Sequence, residues 1–258
     1  MQYLSVVIIT YNEEARISNC IDSVRPVADE IIVLDCFSTD KTVEIARAKG
    51  AIVKEEKWRG YIEQKNLALE FAKHDYVLSL DADERLDATL LAAIIEAKKS
   101  FAHKAYMMNR CTNYCGKFIR HGQWYPDKKL RLFDKRIASW GGTNPHDKVV
   151  LSSPLAVNHL PGDILHFSYD SIEDHVKNGN KFSTIAAQSL FERGRRASWI
   201  NILGNPLWTF LQGYFIRFGL LDGVPGFIIA VISAHHTFLK YIKLYQLRQS
   251  SFNSQHKA

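Results

Sequence analysis

The sequence predicts an α/β fold: a doubly wound, mostly parallel sheet followed by a helical C-terminal extension. Three observations carry that expectation. Short, nearly continuous apolar runs alternate with segments of helical period through the first 110 residues. Polar and acidic residues stand at the C-terminal ends of those runs. After Tyr169 the strand-like runs stop and the patterning is helical.

The first run, Leu4 to Thr10, is apolar almost throughout, as in a parallel strand buried on both faces. Asn12 is a candidate cap for a helix in which Ile17, Cys20, Ile21 and Val24 fall at i, i+3, i+4 and i+7, ended by Pro26. Glu30 to Asp35 is the second strand. Ser38, Thr39 and Asp40 offer caps for a helix to Lys49, which Gly50 closes. Ala51 to Lys54 reads as a short third strand, Gln64 to Lys73 as helix, and Tyr76 to Asp81 as the fourth strand. A helix from Asp87 to Ser100 and a strand near Ala105 to Arg110 follow. Repeated βα units imply right-handed crossovers, and ligands of such sheets bind at the carboxyl ends of the strands. Tyr11-Asn12, Asp35 and Asp81/Asp83 therefore converge on one edge. From Tyr114 to His166 the alternation breaks down; Gly141 to Asp147 reads as loop, with small strands at Val149 to Leu151 and Ile164-Leu165.

Composition narrows the class. The chain is 47% hydrophobic and 23% charged, which excludes global disorder. Four scattered cysteines make no disulfide framework, and Cys111 with Cys115 is a lone pair without the second half of a zinc site. Reduced thiols and a cytoplasmic setting are expected, with no signal peptide. The net charge of +6 is carried by the tail, where Arg193 to Ala258 holds eight Lys/Arg against one acid, Asp222. Ala197 to Ile216 and Gly223 to Leu239 contain no charge, yet neither reads as a membrane span. The first carries Asn201, Asn205, Pro206 and Gln212, and the second is short of the roughly 20 apolar residues that a span needs. The aromatic residues of this region, Trp199, Trp208, Phe210, Tyr214, Phe215, Phe218 and Phe227, with Arg and Lys among and around them, suit an anionic membrane surface. No nucleic-acid partner is expected, because nothing in the chain resembles a reading module.

Asp81 and Asp83 are the sharpest chemical feature. At i and i+2 on a strand end they face the same side, and two hard oxygen donors suit Mg²⁺ or Mn²⁺ carrying nucleotide phosphates. A P-loop is absent, and the first βα turn, Thr10-Tyr11-Asn12-Glu13-Glu14, lacks the glycines of a dinucleotide fold.

Ser5 to Glu14, Ile32 to Thr42, Gln64-Lys65-Asn66 and Asp81-Ala82-Asp83, in that order and spacing, resemble family 2 glycosyltransferases of the GT-A fold. Leu130 to Phe133, Trp140, His146-Asp147 and Gly162 to His166 resemble a narrower group, the Gram-negative lipopolysaccharide core β-1,4-glucosyltransferases that act on the first inner-core heptose. Two departures stand out: Cys36 replaces a second acid at the second strand end, and Asp147 stands where relatives often carry Glu.

The resemblance implies a nucleotide-sugar half at 1–110, an acceptor half of the same domain at 111–170 and a basic, aromatic extension at 171–258. It implies an inverting, metal-dependent transfer of a hexose, glucose by resemblance, from a UDP-sugar onto inner-core heptose, by a peripheral enzyme on the cytoplasmic side of the inner membrane. Thr10, Tyr11, Asn12, Glu13, Asp35, Gln64, Lys65 and Asp81 are the candidate donor contacts. Within that set Tyr11 stacks on uracil, Asp35 reads the base, Lys65 meets the diphosphate and Asp81 faces the ribose. Asp83 is the candidate metal ligand, with His166 and His146 as further ones. Asp147 is the candidate base, and Arg120, Arg131 and Trp140 are candidate acceptor contacts. Each has a plainer reading: a strand-end aromatic for Tyr11, a helix-cap partner for Asp35, a solvated helix lysine for Lys65, structural histidines, and a loop cap for Asp147. Transfer to a polyprenyl phosphate, or a catalytically inactive nucleotide-binding scaffold, are the alternative functions.

Overall fold

Seven consecutive buried residues, Leu4–Thr10, form β1 near the centre of a nine-stranded sheet. The computed structural model describes residues 2–143 and 146–255, with the side chains of residues 143, 146 and 251–255 outside the description. Two units are distinguished, residues 1–111 with 127–167 and residues 112–126 with 168–258.

In the first unit β1 pairs in parallel with β2 (Glu30–Asp35) on one side and β4 (Tyr76–Asp81) on the other, and β2, followed by α2 (Thr42–Ala48), pairs with β3 (Ile52–Glu55). Alternate residues of β1 enter two cores. Leu4, Val6 and Ile8 pack with α1 (Ile17–Val24) and α4 (Ala88–Lys98), while Val7 and Ile9 pack with α3 (Tyr61–Phe71). Burial on both faces is why the strand reads as an unbroken apolar run. The expected stripe of α1 is fully buried at all four positions. Asp87 caps α4 by accepting from Leu90 N–H at 2.7 Å. Beyond β4 the sheet turns antiparallel through β8 (Asp127–Asp134), β6 (Ala105–Tyr114), β11 (Asn158–Tyr169) and β5 (Glu84–Leu86), and the two-residue β7 (Lys117–Phe118) pairs with the end of β6. Strand order reverses between β1 and β4, so the crevice such sheets offer to ligands opens at Thr10 and Asp81.

Three local expectations are revised. Asn12 does not cap α1, whose cap residue is Arg16; Asn12 takes φ +53° and bridges to the turn after β2. Residues 141–143 and 146–147 are strand, not loop. Ala138–Thr143 and His146–Leu151 form a hairpin, β9 and β10, with Asp147 opposite Gly142. Its glycines make room as well as turns, since a Cβ on Gly141 would lie 3.0 Å from Val150 Cγ2. Third, the uncharged Gly223 to Leu239 stretch belongs to a longer helix, α7 (Gly223–Gln255), because Pro225 sits in its first turn, where a missing N–H costs nothing.

In the second unit α5 (Ile172–Glu192) is followed by a π-turn at Ile200–Gly204, α6 (Asn205–Leu211), a second π-turn at Gln212–Ile216, a 3₁₀ turn at Gly219–Asp222, and α7. Residues Gly219–Ser250 are long and apolar enough to cross a membrane. Tyr114, Trp124, Tyr169 and His175 form an aromatic cluster. The buried Asp222 carboxylate accepts from the backbone N–H groups of Arg120 and His121. A Cβ on Gly226 would lie 2.0 Å from the Gly219 carbonyl oxygen, so these two glycines are in obligatory close contact.

Candidate active site

Two turns at the ends of β1 and β2 are knitted together. Asn12 N–H donates to Ser38 Oγ at 2.8 Å, and Asn12 Oδ1 accepts from Thr39 N–H at 2.8 Å. Glu13 N–H donates to Thr42 Oγ1, and Glu13 pairs with Arg16 at 3.0 Å. Asp40, expected as a helix cap, accepts from the Thr42 hydroxyl and from Thr42 and Glu14 N–H; burial acts to raise its pKa, and these bonds together outweigh it and hold the carboxyl below the usual range. The Tyr11 ring is left 58% exposed, open to stacking. Asp35 is fully buried and accepts from both the N–H and the hydroxyl of Ser38. That bracing fixes the turn after β2, and a base edge would have to share those oxygens.

At the end of β4 the charges interlock. Lys65, on α3, is buried; its Nζ lies 3.1 Å from Asp81 Oδ1 and 2.8 Å from Asp147 Oδ2. Arg131, on β8, donates from Nη2 to Glu84 Oε1 at 2.9 Å and to Asp81 Oδ2 at 3.2 Å. The other Glu84 oxygen accepts from Asp81 N–H at 3.0 Å. Trp140 forms a wall, its ring centroid 4.4 Å from Lys65 Nζ and 5.2 Å from the Arg131 guanidinium. Asn66 fixes that wall with two bonds of 2.9 Å to the Trp140 backbone. Burial acts to raise the Asp81 pKa, but Lys65 and Arg131 reverse this and hold it well below the usual carboxylate range. Burial pulls the Arg131 pKa down, and Glu84 and Asp81 more than restore it. The Tyr61 hydroxyl is pushed up first by burial, then by Asp81, Asp147 and Asp83, which places all three carboxylates in one neighbourhood.

Arg131 and Trp140, expected as acceptor contacts, are 3% and 5% exposed, and Arg131 Nη2 is shared between the buried Glu84 and the partly exposed Asp81. Glu84, given no role from sequence, requires that counter-charge because it is fully buried. Arg120 belongs to the second unit.

Asp83 lies in the turn between β4 and β5, and β5 pairs with β11 so that His166 stands opposite Glu84. This brings His166 Nε2 to 3.2 Å from Asp83 Oδ2, across 83 residues of sequence. The side chain of His146 lies outside the described residues. A carboxylate oxygen beside an imidazole nitrogen fits Mn²⁺ or Mg²⁺ held jointly with phosphate oxygens and water. No set of three His, Cys, Asp or Glu converges among the described residues, so a nucleotide would have to complete the coordination.

Buried polar side-chain atoms in folded proteins are nearly always hydrogen-bonded. Among the described residues, those without a hydrogen bond are Thr10 Oγ1, both amide atoms of Gln64, Arg131 Nε and Nη1, Trp140 Nε1 and His166 Nδ1. Every one belongs to a residue that the sequence singled out for this site.

The glycosyl transferase family 2 profile matches residues 5–153. A glycosyltransferase of Rickettsia typhi is 35% identical, over 98% of this chain and 90% of its own length. The lipopolysaccharide core biosynthesis glycosyltransferase LpsC of Rhizobium meliloti is 31% identical, over 94% of this chain and 92% of its own. Among solved structures, glucosyl-3-phosphoglycerate synthase of Mycobacterium tuberculosis with Mn²⁺, UDP and glucosyl-3-phosphoglycerate is 27% identical at a TM-score of 0.37. That overlap covers 43% of this chain and 44% of the other.

Proposed function

The chain belongs to glycosyl transferase family 2, and from that premise we propose that it moves a hexose from a UDP-sugar onto an inner-core heptose of lipopolysaccharide. The observation that carries the reading is the set of unsatisfied buried polar atoms around Asp81 and Asp83, a site whose hydrogen bonds await a polar ligand. The kinship with a lipopolysaccharide core enzyme along nearly the whole chain supports the acceptor class. We assign the enzyme to the cytoplasmic face of the inner membrane, where a lipid-linked acceptor of this kind would be met.

In this proposal the exposed Tyr11 ring stacks on the base and Asp81, oriented by Lys65 and Arg131, faces the ribose. Asp83 and His166 hold a divalent cation. When bound, that cation offsets the charge developing on the departing diphosphate. Lys65 supplies a further positive charge there, its position fixed by Asp81, Asp147 and the Trp140 wall. Asp147 takes the proton of the acceptor hydroxyl as it attacks the anomeric carbon from the side opposite the nucleotide, giving inversion in one step. A base so placed contributes about 10²–10⁴ in rate. In the resting arrangement Lys65 is bonded to Asp147, so donor binding must draw the ammonium toward the diphosphate before Asp147 can serve.

Asp83→Ala tests the assignment. Transfer should be abolished while the thermal melt stays close to that of the wild type; retained transfer would sink the metal role.

A further inference from the structure

We infer that the stretch from Trp199 to Val231 in the second unit is a seat in the interfacial layer of an anionic bilayer, lying on the membrane without crossing it. The inference concerns attachment and does not depend on which sugar is moved.

Ile200, Leu203, Leu207, Leu211 and Phe215 recur at three- and four-residue steps, so they share one helical face. That face is bare: Ile200 is 78% exposed, Leu203 63% and Leu207 61%. Leu221, Val224 and Phe227 extend the exposed apolar surface through the 3₁₀ turn into α7. A soluble monomer rarely leaves so many large apolar side chains uncovered in one segment. Exposed arginines stand at its edges: Arg193, Arg195 and Arg196 precede it, and Arg217 lies between its two apolar parts. The single acid of the 193–258 stretch, Asp222, is buried and used internally. An apolar, mainly aliphatic face edged by cations, in a stretch whose own acid is buried, complements anionic headgroups. A second copy of this chain would bring the same cations to the same face with nothing to meet them.

Crossing is disfavoured by what holds α7. Lys243 Nζ donates to the Asn180 carbonyl, Ser183 Oγ and Thr184 Oγ1 of α5, and Arg248 donates to the carbonyls of Phe191 and Arg195. If α7 spanned the bilayer, α5 would enter with it, carrying exposed Glu173, Asp174, Lys177 and Lys181 into hydrocarbon. The seat therefore takes the bare face of α6 and the start of α7, and α5 stays in water.

Flotation of the full chain with vesicles of phosphatidylglycerol and phosphatidylethanolamine, compared with phosphatidylcholine alone, tests this. The wild type should float with the anionic vesicles and be released by alkaline carbonate. Leu203→Gln with Leu207→Gln should stay at the bottom of the gradient with an unchanged melt. Reversal of Arg193, Arg195 and Arg196 to Glu should weaken anionic binding roughly a hundredfold or more. Both variants should keep transfer to a delipidated acceptor, which separates failure of the seat from failure of the catalytic reading. Resistance to carbonate would overturn the inference in favour of a span. Unimpaired flotation of the leucine variant, or a lipid-independent dimer that the leucine changes dissolve, would overturn it outright.

Discussion

Arg131→Met should be among the most destabilising single changes in the first unit. Arg131 and Glu84 are 3% and 0% exposed and meet at 2.9 Å, so the substitution leaves a buried carboxylate without its close counter-ion. Arg110 Nη1 is 3.6 Å away and the Asp81 N–H bond remains, which softens the loss without replacing it. Breaking a buried pair from one side costs about 3–5 kcal/mol. With a urea slope of about 2 kcal/mol per molar, the unfolding midpoint should fall by roughly 2 M. Adding Glu84→Gln removes the stranded charge but keeps the acceptor for Asp81 N–H, so the double variant should recover most of the loss. Equilibrium urea unfolding of the four proteins in the cycle provides the measurement. A shift of less than about 0.5 M for Arg131→Met would refute the reasoning. So would a double variant no more stable than the single one.

Asn66→Ala removes both bonds to the Trp140 backbone and should cost about 2 kcal/mol in unfolding. Loosening the wall beside Lys65 should also lower kcat more than it changes KM for the donor, and the reverse split would contradict the positioning role. His175 is pushed down to about 4, first by burial and then by His236. Its neutral form belongs to the native state, so below about 6.5 the unfolded chain binds a proton that the native one does not. Stability should be fully present above that pH and be lost as pH falls toward about 4, by up to about 3 kcal/mol. In His175→Gln the decline across this window should flatten; an unchanged slope in a pH series of melts would argue against it.

The legible parts of this protein are those in which neighbouring residues share one environment. β1, β2 and β4 are buried on both faces and read as apolar runs, and α1 buries one regular stripe. The strand-end acids were legible because parallel topology sends them all to one edge. The partners of those acids were not. Arg131 meets Glu84 across 47 residues and Asn66 meets Trp140 across 74, and no local pattern marks either pairing. Glu84 looks like one more acid after Asp83 until β5 is seen to turn it inward. The hairpin carrying Asp147 was hidden by glycine, which reads as loop even where it makes room for Val150. Asn12 had the composition of a cap, but its φ of +53° turns it toward Thr39 instead.

The activity proposed is transfer of a UDP-linked hexose to an inner-core heptose. It is tested most directly by offering UDP-, GDP- and dTDP-sugars with a heptose-bearing acceptor, with and without a chelator, and identifying the product by mass. One hexose should be added from a UDP-sugar, with inversion at the anomeric carbon, and no product should form once the chelator is present. Metal-dependent UDP binding without transfer to any acceptor, or transfer that the chelator leaves untouched, would contradict it.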